Sequence, residues 1–410
     1  MKRIFVYIFL IIFSAILMQS FYAAYLKNKE NKKQLLIQEI KNHYSNKVVT
    51  NDRVTLYVRD NLSYVSGGFV AKDIKLKLKE IISINEQSLY FELEDIPYYV
   101  YYKDVNIDDD IKEIKKYYEN YLPFNENIIT IDTPTLYDDN NNFVFQLNEK
   151  LSLPIIIKDI DRYYVEYNDS LLYVLKDDVV DIIPTINTTE IAATSIASIN
   201  YHFFYDKSQG QSCNSVICME ISKFEEQLKY LSDNNYYAVT MKDLELFIDN
   251  KIRLPKKSLN INIDDGGKYV VNALPIIEKY KMNTTVFLIA AWYDKKDYES
   301  EYVEVHSHGY NIHNPGICSG GYGSALKCSN KDYLLNDLAL SRQFLNNTTV
   351  FCYPYYEYND YAVSIVKEAG FKMAFINGSV KIKMGTNKLL LPRYPIHHDL
   401  TIDKLKKIID

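Results

Sequence analysis

The chain has 410 residues, enough for two to four domains at roughly 100–200 residues each. Apolar residues make up 47% and charged residues 24%, which is globular usage and excludes disorder over the whole chain. The net charge of −6, from 53 acidic and 47 basic side chains, argues against a generally basic nucleic-acid binder.

Lys2 and Arg3 precede an apolar run from Ile4 to Met18, which resumes after Ser20 and reaches Leu26; Lys27, Lys29, Lys32 and Lys33 follow. A basic start and an apolar core make a secretory signal. The stretch is also long enough for a bilayer, which needs about 20 residues. It has no clean A-x-A cleavage site and no cysteine for a lipid anchor. The expectation is a retained signal anchor, a single transmembrane helix over 1–26, with a cleaved signal peptide as the alternative. Either places the residues after about 30 outside the cytoplasm, and the retained anchor holds them at the cell membrane. Residues 27–46 are polar and helix-prone and read as a stalk.

The next section repeats itself. Thr50, Asp52, Thr55, Leu56 and Tyr57 recur 80 positions later as Thr130, Asp132, Thr135, Leu136 and Tyr137. Tyr102-Lys-Asp-Val105 likewise resembles Leu175-Lys-Asp-Asp-Val179. Short alternating segments between them, such as Tyr98–Tyr102 and Tyr163–Tyr167, are strand-like. The expectation is two copies of a small β unit over 47–187, at 47–110 and 127–187. Each resembles an extracellular bacterial SH3-like barrel, a module that binds wall polymer or acts as a spacer.

From about residue 190 the pattern becomes alternating strands and helices. Ser222-x-x-Glu225 and Thr240-x-x-Asp243 read as capping boxes opening helices. Strands are expected at 258–263, 285–290, 302–305, 349–352 and 372–376. Helices are expected at about 332–345 and from Asn359 to just before Gly370, a C-cap. The alternation predicts an α/β fold, a distorted (β/α) barrel over 190–410.

Asp264-Asp265-Gly266-Gly267 ends an apolar strand, where a (β/α) barrel builds its site. Asp-Asp-Gly alone is ordinarily a solvated turn. About 40 residues on, His306-Ser-His308-Gly-Tyr-Asn-Ile-His313 puts three of the seven histidines within eight residues. Paired histidines after one strand and an Asp pair after another fit a His₂Asp site for a divalent metal with open positions. The cysteines hold no C-x-x-C and no Cys/His zinc-finger spacing. Cys213 and Cys218 are close, as are Cys318 and Cys328. Outside the cytoplasm such pairs oxidise, so two disulfides are expected, with Cys352 free and buried.

Residues 195–410 resemble a polysaccharide deacetylase domain of the carbohydrate esterase family 4 type. Ile261-Asn-Ile-Asp-Asp-Gly266 is similar to the family's T-F-D-D-G, and Ser307-His-Gly-Tyr-Asn-Ile-His313 to its S-H-T-x-x-x-H. Phe351-Cys-Tyr-Pro-Tyr355 is similar to F-x-Y-P-Y/F-G, and Leu391-Pro-Arg393 to a late L-P-R. Asn200-Tyr-His202 resembles the Y-H that opens the circularly permuted branch, which includes poly-N-acetylglucosamine deacetylases. The resemblance implies a hydrolase of N-acetyl amide bonds. Asp265, His308 and His313 would hold the metal, zinc or a substitute such as cobalt. Asp264 would be the base and His202 the general acid, with His397 and His398 as rival acids. The oxyanion would rest near Tyr355, with Arg393 at the substrate and orienting Asp264, because Cys352 stands where the motif has Arg. Asn262, Gly309 and Tyr356 depart from the family pattern, and Tyr356 would narrow the sugar groove. Trp292 is a candidate sugar platform. The expected substrate is peptidoglycan, with a poly-β-1,6-N-acetylglucosamine exopolymer or an inactive wall-binding scaffold as alternatives. The expected partners are this polysaccharide and the membrane, with no nucleic acid, and the chain is expected to be a monomer.

Overall fold

The computed structural model describes residues 2–43, 47–61, 63–83, 89–107, 116–186 and 190–410. The expected boundaries at 110 and 187 fall outside these residues. The chain divides into two compact units, residues 1–118 with 125–187, and residues 119–124 with 188–410.

The first unit opens with a helix, Lys2–His43, which takes in the expected anchor and most of the stalk. Among the described residues no helix is long and apolar enough to cross a membrane. Residue 1 and the side chains of residues 2–13, where the apolar run begins, lie outside the description.

The β section that follows uses one pairing scheme twice. Lys47–Thr50 pairs antiparallel with Lys75–Ser83 and Val105–Ile107; Glu126–Thr130 pairs in the same way with Ser152–Pro154 and Val179–Pro184. Val54–Asp60 lies between Ser63–Val70 and Tyr99–Tyr101, as Thr135–Tyr137 lies between Phe143–Leu147 and Ser170–Leu175. A 3-10 turn precedes the last strand of each copy, Tyr102–Asp104 and Lys176–Asp178. The recurring residues hold the recurring structure. Thr50 and Thr130 are buried, and their hydroxyls accept from the N–H of Ile74 at 2.9 Å and of Leu151 at 2.8 Å. Leu56 and Leu136 are both buried in the core.

The second unit is a closed barrel of seven parallel strands. In chain order these are β1 (Ala197–Tyr201), β2 (Ser258–Asp265), β3 (Thr284–Leu288), β4 (Val303–Ser307), β5 (Val350–Cys352), β6 (Met373–Asn377) and β7 (Leu391–Pro395). Each pairs with the next, and β1 closes the ring by pairing with both β2 and β7. Tyr237–Ala238 adds a short strand beside β2.

The strand period of two sorts the residues. Ile199, Tyr201, Ile261, Ile263, Val286 and Leu288 pack with the helix residues Phe224, Leu228 and Ile277 in one buried cluster. Ser198, Asn200, Asn260, Asn262 and Asp264 alternate with them and are buried as well. They bond one another in part: Asn262 donates to Ser198 and Asn260, both at 2.8 Å, while Asn262 Oδ1 and Asn260 Nδ2 have no hydrogen-bond partner.

Thr240 and Asp243 form both halves of the expected capping box on Met241–Ile248. The Ser222 box does not form. Its helix, Ile221–Asp233, starts two residues earlier than that box would place it, with Glu220 as N-cap, so Ser222 already lies inside the first turn. Asn359 caps Asp360–Glu368, and Gly370 follows at φ +87°.

Candidate active site

The site lies at the C-terminal ends of β1, β2, β4, β5 and β7. β2 ends in Asp264 and Asp265 and turns there through three residues with positive φ, Asp265 at +73°, Gly266 at +99° and Gly267 at +92°. A Cβ on Gly266 would come within 2.5 Å of Leu288 and 2.9 Å of Tyr293, so the turn needs glycine for space as well as for conformation. The left-handed Asp265 turns its side chain away from that of Asp264, and the two adjacent carboxylates face different partners.

Asp265 faces the histidines that follow β4. Its Oδ1 lies 3.3 Å from Nε2 of His308 and 3.3 Å from Nε2 of His313. Ligand atoms of the three residues all fall within 4.8 Å of one another. His308 Nδ1 is 2.9 Å from the backbone oxygen of Cys352. A carbonyl only accepts, so Nδ1 carries a proton; burial opposes charge on the ring, but Cys352 and the Asp265 carboxylate outweigh it and hold the His308 pKa well above its ordinary value. Burial holds His313 down at about 4, with the neighbouring His308 adding to the effect, so its imidazole is neutral at physiological pH. Two imidazole nitrogens and a carboxylate oxygen are the donor set of an open divalent-metal site, and these residues fit one once His308 Nε2 has given up its proton.

The loop carrying the ligands is fixed from behind. Asp337 is 5% exposed and accepts from the N–H of Tyr310 at 2.8 Å and of Asn311 at 2.7 Å. Gly309 turns at φ +89°, and its N–H donates to Ser307 Oγ at 3.1 Å.

Asp264 faces Arg393 on β7. Both are buried, and the guanidinium donates to the two carboxylate oxygens at 2.8 and 2.9 Å. Asn200 Nδ2 adds a third bond at 3.0 Å. Burial alone would raise the Asp264 pKa, but the Arg393 charge outweighs it, with help from His308, and holds the carboxyl far below the usual range. Cys352 lies 2.8 Å from Arg393 Nη2, so the guanidinium from β7 occupies the space beside a thiol where the family motif has an arginine of its own. This corrects part of the Arg393 expectation. Its side chain is 0% exposed and its two terminal nitrogens bond to Asp264, Asn200 and Cys352, which places it behind the carboxylate and not at an open surface.

His202 sits on the other side of Asp264. Its Nε2 is 3.9 Å from Asp264 Oδ2 and 3.4 Å from the Tyr356 hydroxyl. Burial lowers its pKa, against the pull of the Asp264 and Asp265 charges. Tyr356 also accepts from Asn200 at 2.7 Å. Tyr356 is therefore a member of the Asp264–His202 network, packed with its ring 5.4 Å from the Arg393 guanidinium, and not simply a groove wall. His397 and His398 are exposed, and His398 Nδ1 is 3.3 Å from the Val216 carbonyl.

Aromatic rings line the metal side. Tyr355, in the left-handed region at φ +59°, packs its ring 4.4 Å from His313 and donates to the His313 carbonyl at 3.2 Å. Trp292 is 47% exposed, 5.9 Å from the His313 ring, and donates to Asn311. Beside Gly266 and Gly267 a cavity of about 620 Å³ opens between Phe203, Tyr269, Tyr293 and the Cys213–Cys218 bridge. The disulfides are Cys213–Cys218 and Cys318–Cys328, and Cys352 is free and buried.

Asn200, Tyr356 and Asp337 belong to the site or its support without having been singled out for those roles in the sequence. Of these, Asn200 and Tyr356 lay inside or beside quoted motifs. Nothing in the sequence marked Asp337, an ordinary helix carboxylate until the fold brings it under the ligand loop.

Residues 251–374 match the polysaccharide deacetylase family. A poly-beta-1,6-N-acetyl-D-glucosamine N-deacetylase of Staphylococcus aureus is 27% identical over 220 residues, 49% of this chain and 74% of the relative. Among solved structures, a de-N-acetylase of Aggregatibacter actinomycetemcomitans is 19% identical with a TM-score of 0.46, covering 52% of this chain and 99% of that one. The IcaB structure from Ammonifex degensii is 21% identical with a TM-score of 0.45, covering 54% and 98%.

Proposed function

We propose that the chain, whose residues 251–374 match the polysaccharide deacetylase family, is a divalent-metal-dependent N-deacetylase of an extracellular N-acetylglucosamine polymer. The observation that carries this reading is the division of labour between adjacent carboxylates. Asp265 joins His308 and His313 as a ligand set, while Asp264 is held ionised by Arg393.

A divalent ion at Asp265, His308 and His313 would supply a Lewis acid and lower the pKa of water, zinc and cobalt both suiting the donors. The chain's own groups do the rest. Asp264, ionised and aimed by Arg393 and Asn200, takes the proton of the attacking water, a contribution of about 10²–10⁴ in rate. His202, on the far side of that carboxylate with Nε2 3.9 Å from Asp264 Oδ2, passes to the departing amine the proton that Asp264 has taken from water. Tyr355 borders the acyl group, and the oxyanion rests on backbone N–H groups there.

The name of the Staphylococcus aureus relatives favours a β-1,6-linked polymer over the peptidoglycan expected from sequence. The compartment reading rests on two disulfides and on exposed apolar side chains in the first helix, among them Ile16, Met18 and Phe21. In this reading that helix anchors the chain in the membrane. In the same reading the duplicated β section, taken as an SH3-like pair, serves as a spacer or polymer-holding arm. Acetate release from purified poly-β-1,6-N-acetylglucosamine and from peptidoglycan, assayed side by side, tests the substrate. Release from peptidoglycan alone would return the assignment to the wall polymer.

A further inference from the structure

The loop after His313 is built more firmly than a loop tip requires. The Cys318–Cys328 bridge closes it. Within it Gly316 N–H donates to the Tyr322 carbonyl at 2.8 Å, and Ile317 N–H to that of Gly323 at 3.0 Å. Glu357, two residues past Tyr355, reaches into the loop. One of its carboxylate oxygens accepts from the Tyr322 N–H; the other accepts from the Ser324 N–H at 2.8 Å and pairs with Lys327 at 2.9 Å. Gly321, at φ +62°, leaves room for that carboxylate: a Cβ there would lie 1.8 Å from Glu357 Oε1.

These bonds tie the loop to the same turn that presents Tyr355, and they fix one side chain in particular. The Tyr322 ring lies 5.5 Å from the Tyr355 ring at 21°, a stacked pair, yet Tyr322 is 69% exposed. One face is covered by Tyr355 and the other is open. The rings run on without a break from Tyr322 through Tyr355 to His313 and Trp292. A rigidly held tyrosine with one free face suits a flat, uncharged ligand with an apolar C–H face and hydroxyl groups at its rim, which describes a pyranose ring.

We propose that Tyr322 forms a sugar-binding subsite for the hexosamine ring next to the one being deacetylated, with Glu357 and the Cys318–Cys328 bridge holding it in place. The proposal rests on the reading of the substrate as an N-acetylglucosamine polymer. It implies that affinity grows from the monosaccharide to the oligosaccharide through Tyr322.

The test is binding, which does not depend on turnover. The full-length chain in EDTA and its Tyr322→Ala variant are titrated with N-acetylglucosamine and with β-1,6- and β-1,4-linked pentasaccharides, followed by calorimetry. The expected result is that Tyr322→Ala binds at least one pentasaccharide about three- to tenfold more weakly, that Tyr322→Phe restores the affinity, and that the monosaccharide does not distinguish the proteins. Equal pentasaccharide affinities, or no pentasaccharide binding by either protein, overturn the subsite. Acetate release is read separately: a protein that binds through Tyr322 but frees no acetate keeps the subsite and loses the deacetylase reading.

Discussion

Arg393 on β7 and Asp264 on β2 form a two-bonded ion pair, 2.8 and 2.9 Å, with neither side chain open to solvent. The pair fixes the carboxylate proposed as the base and is buried in the barrel interior, so its loss has a structural cost that a purely catalytic residue would not show. Breaking a buried pair from one side leaves an uncompensated charge, at about 3–5 kcal/mol. Arg393→Met is therefore expected to lower unfolding free energy by about that amount. The double variant Arg393→Met, Asp264→Leu should recover much of the loss. Urea denaturation of the three proteins checks this, and a double variant no more stable than the single one would contradict the pairing.

The ligand set predicts a linked loss of metal and activity. His308→Ala and His313→Ala are each expected to reduce bound divalent ion well below one per chain, by elemental analysis, and to cut acetate release in parallel. His397→Ala and His398→Ala, exposed and outside the site, should leave metal content as it was.

His306 gives a pH dependence of stability. Burial holds it down at about 4 in the folded chain, against about 6.5 unfolded. The folded state resists a proton that the unfolded state accepts. Its contribution is therefore fully present above about pH 6.5 and is lost as pH falls from there toward about 4. Unfolding midpoints measured from pH 7.5 to 4.5 should fall on the acid side, and the fall should be shallower in His306→Gln, which keeps a partner for Thr348.

Cys352 is buried beside the Arg393–Asp264 pair, and the other four cysteines are bridged. Non-reduced native protein is expected to take up no alkylating reagent within minutes, and one equivalent after denaturation. More than one equivalent on denaturation would show that a bridge is missing.

Much of this site could be read from the chain because its ligands sit in short segments. Asp264 and Asp265 are adjacent, and His308 and His313 are five apart, so their chemistry shows as local pattern. The support is scattered. Arg393 lies 129 positions from Asp264, and its role follows only when β1 closes the ring between β2 and β7. Asp337 and Glu357 act through backbone N–H groups of distant loops, which no residue pattern records. Tyr356 was visible as a departure from a motif, but its contacts with Asn200 and His202 depend on two consecutive left-handed residues, Tyr355 and Tyr356. The Ser222 capping box failed for a local reason, a helix that begins one residue ahead of its apparent cap. The duplicated β section was legible because Thr50 and Leu56 are buried and bonded in the same way as Thr130 and Leu136.

The most direct test of the central claim is acetate released from poly-β-1,6-N-acetylglucosamine by the full-length chain before and after removal of divalent ions. The account predicts release that stops on chelation and returns when zinc or cobalt is added back. Release that continues undiminished in the chelated protein, or none from any N-acetylated polymer by the metal-loaded one, would contradict it.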